Sequence, residues 1–302
     1  MSRTTYKGIA VSPEDERLVR QHKRRLVKDK IYKGLVVVAL LLVLYPLGDM
    51  LYMFAYTGAR LISIQTFTTA ISTSSSAFVS GGLSNAILGS LLVVGLSAAI
   101  VIPLGVLGGI YMAEFANDNR HSQIVRFTSD ILAGVPSIVL GYAGYVLLVV
   151  YFGWGFSAIA GGITLAILMF PYILRTTELS IKRVPLSIRE AAIALGSNKT
   201  KMINRITLRL ALPGIITGII LSLGIAFGET APLLYTISFS SYNPTQLLHE
   251  PIGSLTYVIF YFTQLPSQSA INLAYVAAFL LICIIVSFNF IARIAMKRFS
   301  KI

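Results

Sequence analysis

Residues 175–207 read RTTELSIKRVPLSIREAAIALGSNKTKMINRIT, a polar and basic island between two long apolar runs. With Arg209 just beyond, the island holds eight Lys or Arg (Arg175, Lys182, Arg183, Arg189, Lys199, Lys201, Arg205, Arg209) against two acids, Glu178 and Glu190. Val184 and Pro185 interrupt a helix arriving from the apolar side, because proline lacks an amide donor and restricts the residue before it. Ser187 is placed to cap a new helix with Glu190 at the capping-box position, and Gly196 to end it in a sharp turn. A second helix is predicted from Lys199 to Leu208. The product is a helix, a turn and a helix outside the membrane, with Ala191, Ala192 and Ala194 forming a small face suited to close docking.

Outward from the island, the chain is apolar. Only 12% of its 302 residues are charged, against about 25% in soluble domains, and the mean hydropathy is +0.77. Six runs reach the roughly 20 residues that a helix needs to cross hydrocarbon: 35–56, interrupted by Asp49, then 86–112, 131–152, 156–174, 210–228 and 271–292. These runs predict an all-α integral membrane protein of six transmembrane helices. Residues 1–33 are left as a basic arm and 34–302 as the membrane domain, with the loop 175–209 projecting from it.

The net charge of +13 is explained by where the cations lie. Ten Lys or Arg fall in residues 1–33, one (Arg60) in the first loop, two (Arg120, Arg126) in the second, eight in the island and four after Ala292. Six spans and a cytoplasmic N-terminus put 24 of the 25 inside, the bias that orients helices during insertion. A multi-pass protein of the cell membrane with both termini cytoplasmic is predicted. The cations face anionic lipid headgroups rather than nucleic acid.

Smaller features refine the plan. Ser12 is placed to cap an acidic helix start in the arm. The Ser/Thr-rich stretch 66–82 reads as a flexible outer linker. Gly105 and Gly109, Gly214 and Gly218, and Gly224 and Gly228 are spaced four apart, so each pair shares a helix face that admits another backbone closely. Pro136 fits the first turn of the third span or kinks it. The apolar run 252–265 is too short to cross and reads as interfacial or re-entrant. Cys283 reads as a small core residue.

Several chemistries are excluded. His22, His121 and His249 lie in three separate segments, and with one cysteine they offer no metal-ligand spacing. Neither G-x-S-x-G nor H-E-x-x-H occurs, and residues 196–200, GSNKT, lack the Gly-Lys step of a phosphate-binding loop. The chain is therefore read as a non-enzyme that binds no cofactor; ATP and magnesium, where used, belong to a partner. Within the membrane the informative segment is Gly228, Glu229, Thr230, Ala231, Pro232. A glutamate between a glycine and a proline puts a costly charge where the helix is weakened and backbone groups can open toward a cavity.

Glu190, Ala191 and Ala192, then three residues, Gly196, nine residues, Ile206 and Leu208 resemble the E-A-A loop of ABC-importer permease subunits. That family continues with Leu-Pro, whereas this chain has Leu208, Arg209 and a later Pro213. Arg175 to Glu178, Val184 and Pro185, Arg189 to Ala192, residues 134–139 (GVPSIV) and residues 228–234 (GETAPLL) resemble the phosphate permeases of the PstA type. The likeness runs over about residues 85–295 in sequence order. It implies a type I importer permease fold, with Glu190, Ala191, Ala192 and Gly196 docking an ATPase and Arg175, Glu229 and Thr230 on the substrate path. It implies as partners a second permease, two ATP-binding subunits and an extracytoplasmic phosphate-binding protein. The PstA pattern carries an arginine one helical turn before Glu229; here the residue is Ile225. Other oxyanions, sulfate or molybdate, stay open as substrates. So does an ion-coupled secondary transporter with Asp49 and Glu229 as coupling carboxylates.

Overall fold

A computed structural model describes residues 13–75, 78–116 and 120–299. Of these, the residues up to 55 form one compact unit and those from 56 onward a second. In the first, α1 (Pro13–Leu61) begins and runs unbroken through Pro46, with its apolar side chains from Leu35 to Met53 exposed. Ser12 lies outside the described residues.

The second unit is built around one helix. After α2 (Ile64–Thr68) and a hairpin of β1 (Ile71–Ser75) and β2 (Phe78–Gly81) come α3 (Ser84–Glu114), α4 (Arg120–Gly134), α5 (Ser137–Gly144, extended by a π turn Tyr145–Tyr151) and α6 (Ala158–Lys182). Then follow α7 (Leu186–Ala194), α8 (Lys199–Met202), a π turn Ile203–Thr207, α9 (Leu208–Gly228), α10 (Ala231–Thr236), α11 (Leu255–Phe262) and α12 (Gln268–Phe299). Helix α6 is the axle: Leu165, Met169 and Ile173 are fully buried and join residues of α3, α9 and α10 in one apolar core. Two of the glycine pairs explain how it is gripped. A side chain at Gly105 or Gly109 of α3 would strike Ile173 or Thr177, and one at Gly214 or Gly218 of α9 would strike Ser180 or Thr176. Both pairs thus bring a backbone against neighbouring faces of α6, within one chain. Gly224 and Gly228 face open space.

Among the described residues, five helical stretches are long and apolar enough to cross a membrane: Lys28–Leu61, Ser84–Glu114, Ala158–Lys182, Lys199–Gly228 and Gln268–Ile291. The expected third span, 131–152, is not one helix. Helix α4 and the stretch Ser137–Tyr151 meet at 102°, so a sixth crossing exists only if this bent pair is counted as one. The cause is Pro136, whose extended ψ of 134° follows the end of α4 and places it at the N-cap of α5; with no amide to donate, it cannot continue the preceding helix.

The stretch expected to be a flexible linker contains instead α2 and an antiparallel hairpin pairing Ile71 with Gly81. Its order comes from elsewhere in the chain. Asn85, fully buried, accepts from the Ile71 amide (3.2 Å) and donates to the Ser240 carbonyl (2.6 Å), while Ile71 enters an apolar core with Leu83, Leu255 and Phe262. The short run 252–265 contains α11, of 8 residues, capped by Ser254 and packed in that same core.

Candidate coupling and path site

Helix α7 starts at Leu186 because Pro185, at φ −55° and ψ 138°, occupies the N-cap. Ser187 consequently falls inside the first turn, and the side-chain cap expected of it is not made. The other end follows expectation: Gly196 takes φ +81°, and its amide and that of Ser197 return to the carbonyls of Ile193 (2.9 Å) and Ala192 (3.1 Å). Nothing lies within 4 Å of a side chain placed at Gly196, so the demand there is on backbone conformation alone.

The second helix of the island departs from expectation. Asn198 caps α8 by accepting from the Lys201 amide (2.8 Å), and the helix does not stop at Leu208. It continues through the π turn into α9, giving one helical stretch from Lys199 to Gly228. No proline or glycine interrupts residues 199–212, and Met202 and Ile203 are held down by burial against Ala192.

That burial also divides the small face. Ala192 is 5% exposed and packs inward, whereas Glu190, Ala191 and Ala194 face out. The outward surface is more apolar than the alanines suggested: Leu186, Ile193 and Leu195 are 67%, 54% and 88% exposed. Such a patch on a charged edge is a surface that association would cover.

Two carboxylates organise the cations around it. Arg189 donates from Nη1 to Glu114 Oε1 at 2.6 Å and from Nη2 to the Ile181 carbonyl at 2.5 Å. Lys199 Nζ donates to the Glu114 carbonyl (2.7 Å) and sits 4.5 Å from the centre of the Phe115 ring. Nearby on α6, fully buried Glu178 takes Lys182 (2.7 Å), Arg126 of α4 (3.0 Å) and Arg175 (3.2 Å). Neither cluster was singled out from sequence, where the cations read chiefly as markers of sidedness. Residues 175, 178 and 182 do carry helix-neighbour spacing, a signal for part of the second cluster; Glu114 and Arg189 are 75 positions apart and carry none.

Glu229 sits at the second discontinuity. Helix α9 ends at Gly228, Glu229 is extended (φ −70°, ψ 129°), and α10 begins at Ala231 with Pro232 in its first turn. The Ser137 hydroxyl, first residue of α5, hydrogen-bonds the half-buried Glu229 carboxyl. The two broken helices therefore meet. Gly141 of α5 is pressed on the backbone of Ala231 and Pro232, and Gly144 on Thr164 and Thr236. Thr230 starts the turn of α10 by accepting from the Leu234 amide (3.0 Å). Arg175 is engaged with Glu178, and among the described residues no ion pair joins it to Glu229. A cavity of about 90 Å³ between α5 and α6 has no charged side chain in its lining, so it does not suit an anion. Among the described residues no cluster of His, Cys, Asp or Glu could hold a metal ion.

Comparison with known proteins accounts for this arrangement. Residues 105–301 match the family described as binding-protein-dependent transport system inner membrane component. The chain is 42% identical over 275 residues to the phosphate transport system permease protein PstA 2 of Mycobacterium tuberculosis, covering 90% of this chain and 88% of that one. It is 36% identical over 277 residues to the phosphate transport system permease protein PstA of Haemophilus influenzae, covering 89% and 94%. Among solved structures, a bacterial alginate ABC transporter in complex with an alginate pentasaccharide-bound periplasmic protein contains a chain similar at a TM-score of 0.63 and 17% identity, over 94% of this chain and 99% of that one. An inward-facing MetNI methionine ABC transporter contains another, at 0.60 and 16%, over 71% and 96%. At these identities the structures speak to the fold.

Proposed function

The chain belongs to the family of binding-protein-dependent transport system inner membrane components, and from that premise we propose that it is the permease subunit of an ATP-driven importer of inorganic phosphate. The carrying observation is the 42% identity, over 90% of the chain, to a phosphate transport system permease. In this reading the subunit lies in the cell membrane with both termini and the basic island in the cytoplasm, and residues 1–33 rest as a basic arm on anionic headgroups. It hydrolyses nothing itself: two partner ATPase subunits bind ATP and magnesium, a second permease completes the path, and an extracytoplasmic binding protein delivers phosphate.

Helix α7 supplies the contact with the ATPase through Glu190, Ala191 and Ala194 and the exposed Leu186, Ile193 and Leu195, while Ala192 and Gly196 set its fold. Because Lys199–Gly228 is continuous, a push at the docking end travels about 45 Å along one helix at 1.5 Å per residue. It arrives at Glu229, whose bond to Ser137 links α9 to α5. Making and breaking that bond is the proposed gate. Glu229 repels an anion on its own, so it positions a cation that meets phosphate. With Ile225 where the PstA pattern has arginine, that cation comes from the second permease, and Arg175, with two further cations about Glu178, receives phosphate nearer the cytoplasm. Ile225 is also the observation that keeps a different oxyanion as the second reading. Uptake of radiolabelled phosphate by the reconstituted complex, with sulfate and molybdate as competitors, tests both: inhibition by unlabelled phosphate alone supports the first, inhibition by sulfate or molybdate the second.

A further inference from the structure

We propose that Glu114 and Arg189 form a latch that fixes the angle of α7 and delivers its displacement to α3 and α6 together, which makes both of them positioning residues for coupling. The inference rests on the proposed transport function and deepens it.

The tethers of α7 are short, but they do not orient it. Three residues, 183–185, join it to α6, and four, 195–198, join it to α8. Its own packing is slight: Ala192 is its one buried residue, and the remainder of its surface is half-buried or exposed. A helix held this way can roll about its axis, and a push on it is partly lost as rotation. Arg189 removes that freedom. Its guanidinium bonds the last residue of α3 with one nitrogen and the Ile181 carbonyl of α6 with another, and its planar fork fixes both directions at once. The Ile181 carbonyl belongs to the final turn of α6, where it already accepts from the Val184 amide (3.1 Å) and keeps a second lone pair for Arg189, and a cation there is favoured by the helix dipole. The pair is sheltered, with Arg189 15% and Glu114 5% exposed at the side chain, so it is screened less than a surface pair. Because α3 and α6 are already locked by Gly105 and Gly109, the latch makes three helices move as one block while α9 is driven through its direct continuation from α8.

The test uses the whole complex in proteoliposomes with Glu114→Gln, Arg189→Gln and the exchanged pair Glu114→Arg/Arg189→Glu. Copurification of the ATPase subunits verifies that each variant is assembled. The latch predicts that either single variant lowers anions imported per ATP hydrolysed by about fivefold and speeds amide exchange in residues 186–195 by about the same factor, and that the exchanged pair recovers part of both, because a carboxylate at position 189 regains the pairing with α3 but cannot donate to the Ile181 carbonyl. The amide readout does not depend on which anion is carried, so it fails separately from the transport reading. Unchanged exchange and coupling in the assembled single variants overturns the latch, as does a loss that the exchanged pair leaves untouched.

Discussion

Arg189 and Glu114 lie 2.6 Å apart at nitrogen and oxygen although 75 positions separate them in the chain, and this contact ties the proposed docking helix to the end of α3. It gives the basic island a mechanical attachment as well as a charge. What the attached parts do under substitution can be stated in advance.

Gly196 is needed for its backbone. At φ +81° with open space around it, Gly196→Val forces a branched residue into the left-handed region, at about 1–2 kcal/mol, and α7 relaxes by losing its turn. ATPase activity should persist while phosphate uptake falls. Gly196→Asn, which tolerates that conformation, should retain most uptake, and both are read by uptake and phosphate release in the same vesicles.

Gly109 is needed for its size. A side chain there meets Thr177 and the Leu174 carbonyl, so Gly109→Val should part α3 from α6 and destabilise the protein by about 1–3 kcal/mol. A fall in melting temperature in detergent checks this. Gly224→Ala, in open space, should leave it unchanged.

Glu178 balances three cations while itself only 1% exposed at the side chain. Glu178→Gln leaves those cations facing one another, a loss of up to about 3 kcal/mol, moderated because Arg175 and Lys182 are half exposed and regain water. Arg126 is the most enclosed of the three, so α4 should loosen first. Faster amide exchange in Arg120–Gly134 than in Ala158–Lys182 is the expected signature.

Glu250 gives the loop at 245–250 a pH dependence. Burial pushes its carboxyl up, but donors from the Gln246 amide, the Thr245 amide and the Thr245 hydroxyl outweigh it and hold the group below the usual carboxylate range. A depressed folded value contributes stability that is present above the unfolded value of about 4.3 and is lost as pH falls through the folded one. The turn at 245–250 should therefore open as pH falls below the usual carboxylate range, seen as faster amide exchange at Gln246 after correction for the intrinsic rate. Glu250→Gln should remove the pH dependence.

Much of this was legible beforehand, and the failures share a cause. Apolar runs mark the spans because hydrocarbon demands length and composition of each helix separately, and Gly196 declares its turn because few other residues take that backbone conformation. Pro136 was visible as a break, but neither the 102° angle at it nor the packing of α10 against Gly141 beyond it has a local signal. The hairpin was invisible because residues 71–81 do not order themselves; Asn85 and the Ser240 carbonyl order them. Likewise Ser187 fitted a capping box that Pro185 pre-empted. In the candidate site, Glu229 stood out as an acid in an apolar run, yet its contact with Ser137 needs two distant helix breaks to coincide.

The most direct test of the central claim measures phosphate uptake and ATP hydrolysis together in proteoliposomes holding the whole complex and its binding protein, for the wild type and for a variant lacking Ala191 and Ala192. The account predicts ATP-dependent phosphate uptake by the wild type, and ATP hydrolysis without uptake in the variant. Uptake by this chain alone without ATP, or undiminished coupling in the variant, would contradict it.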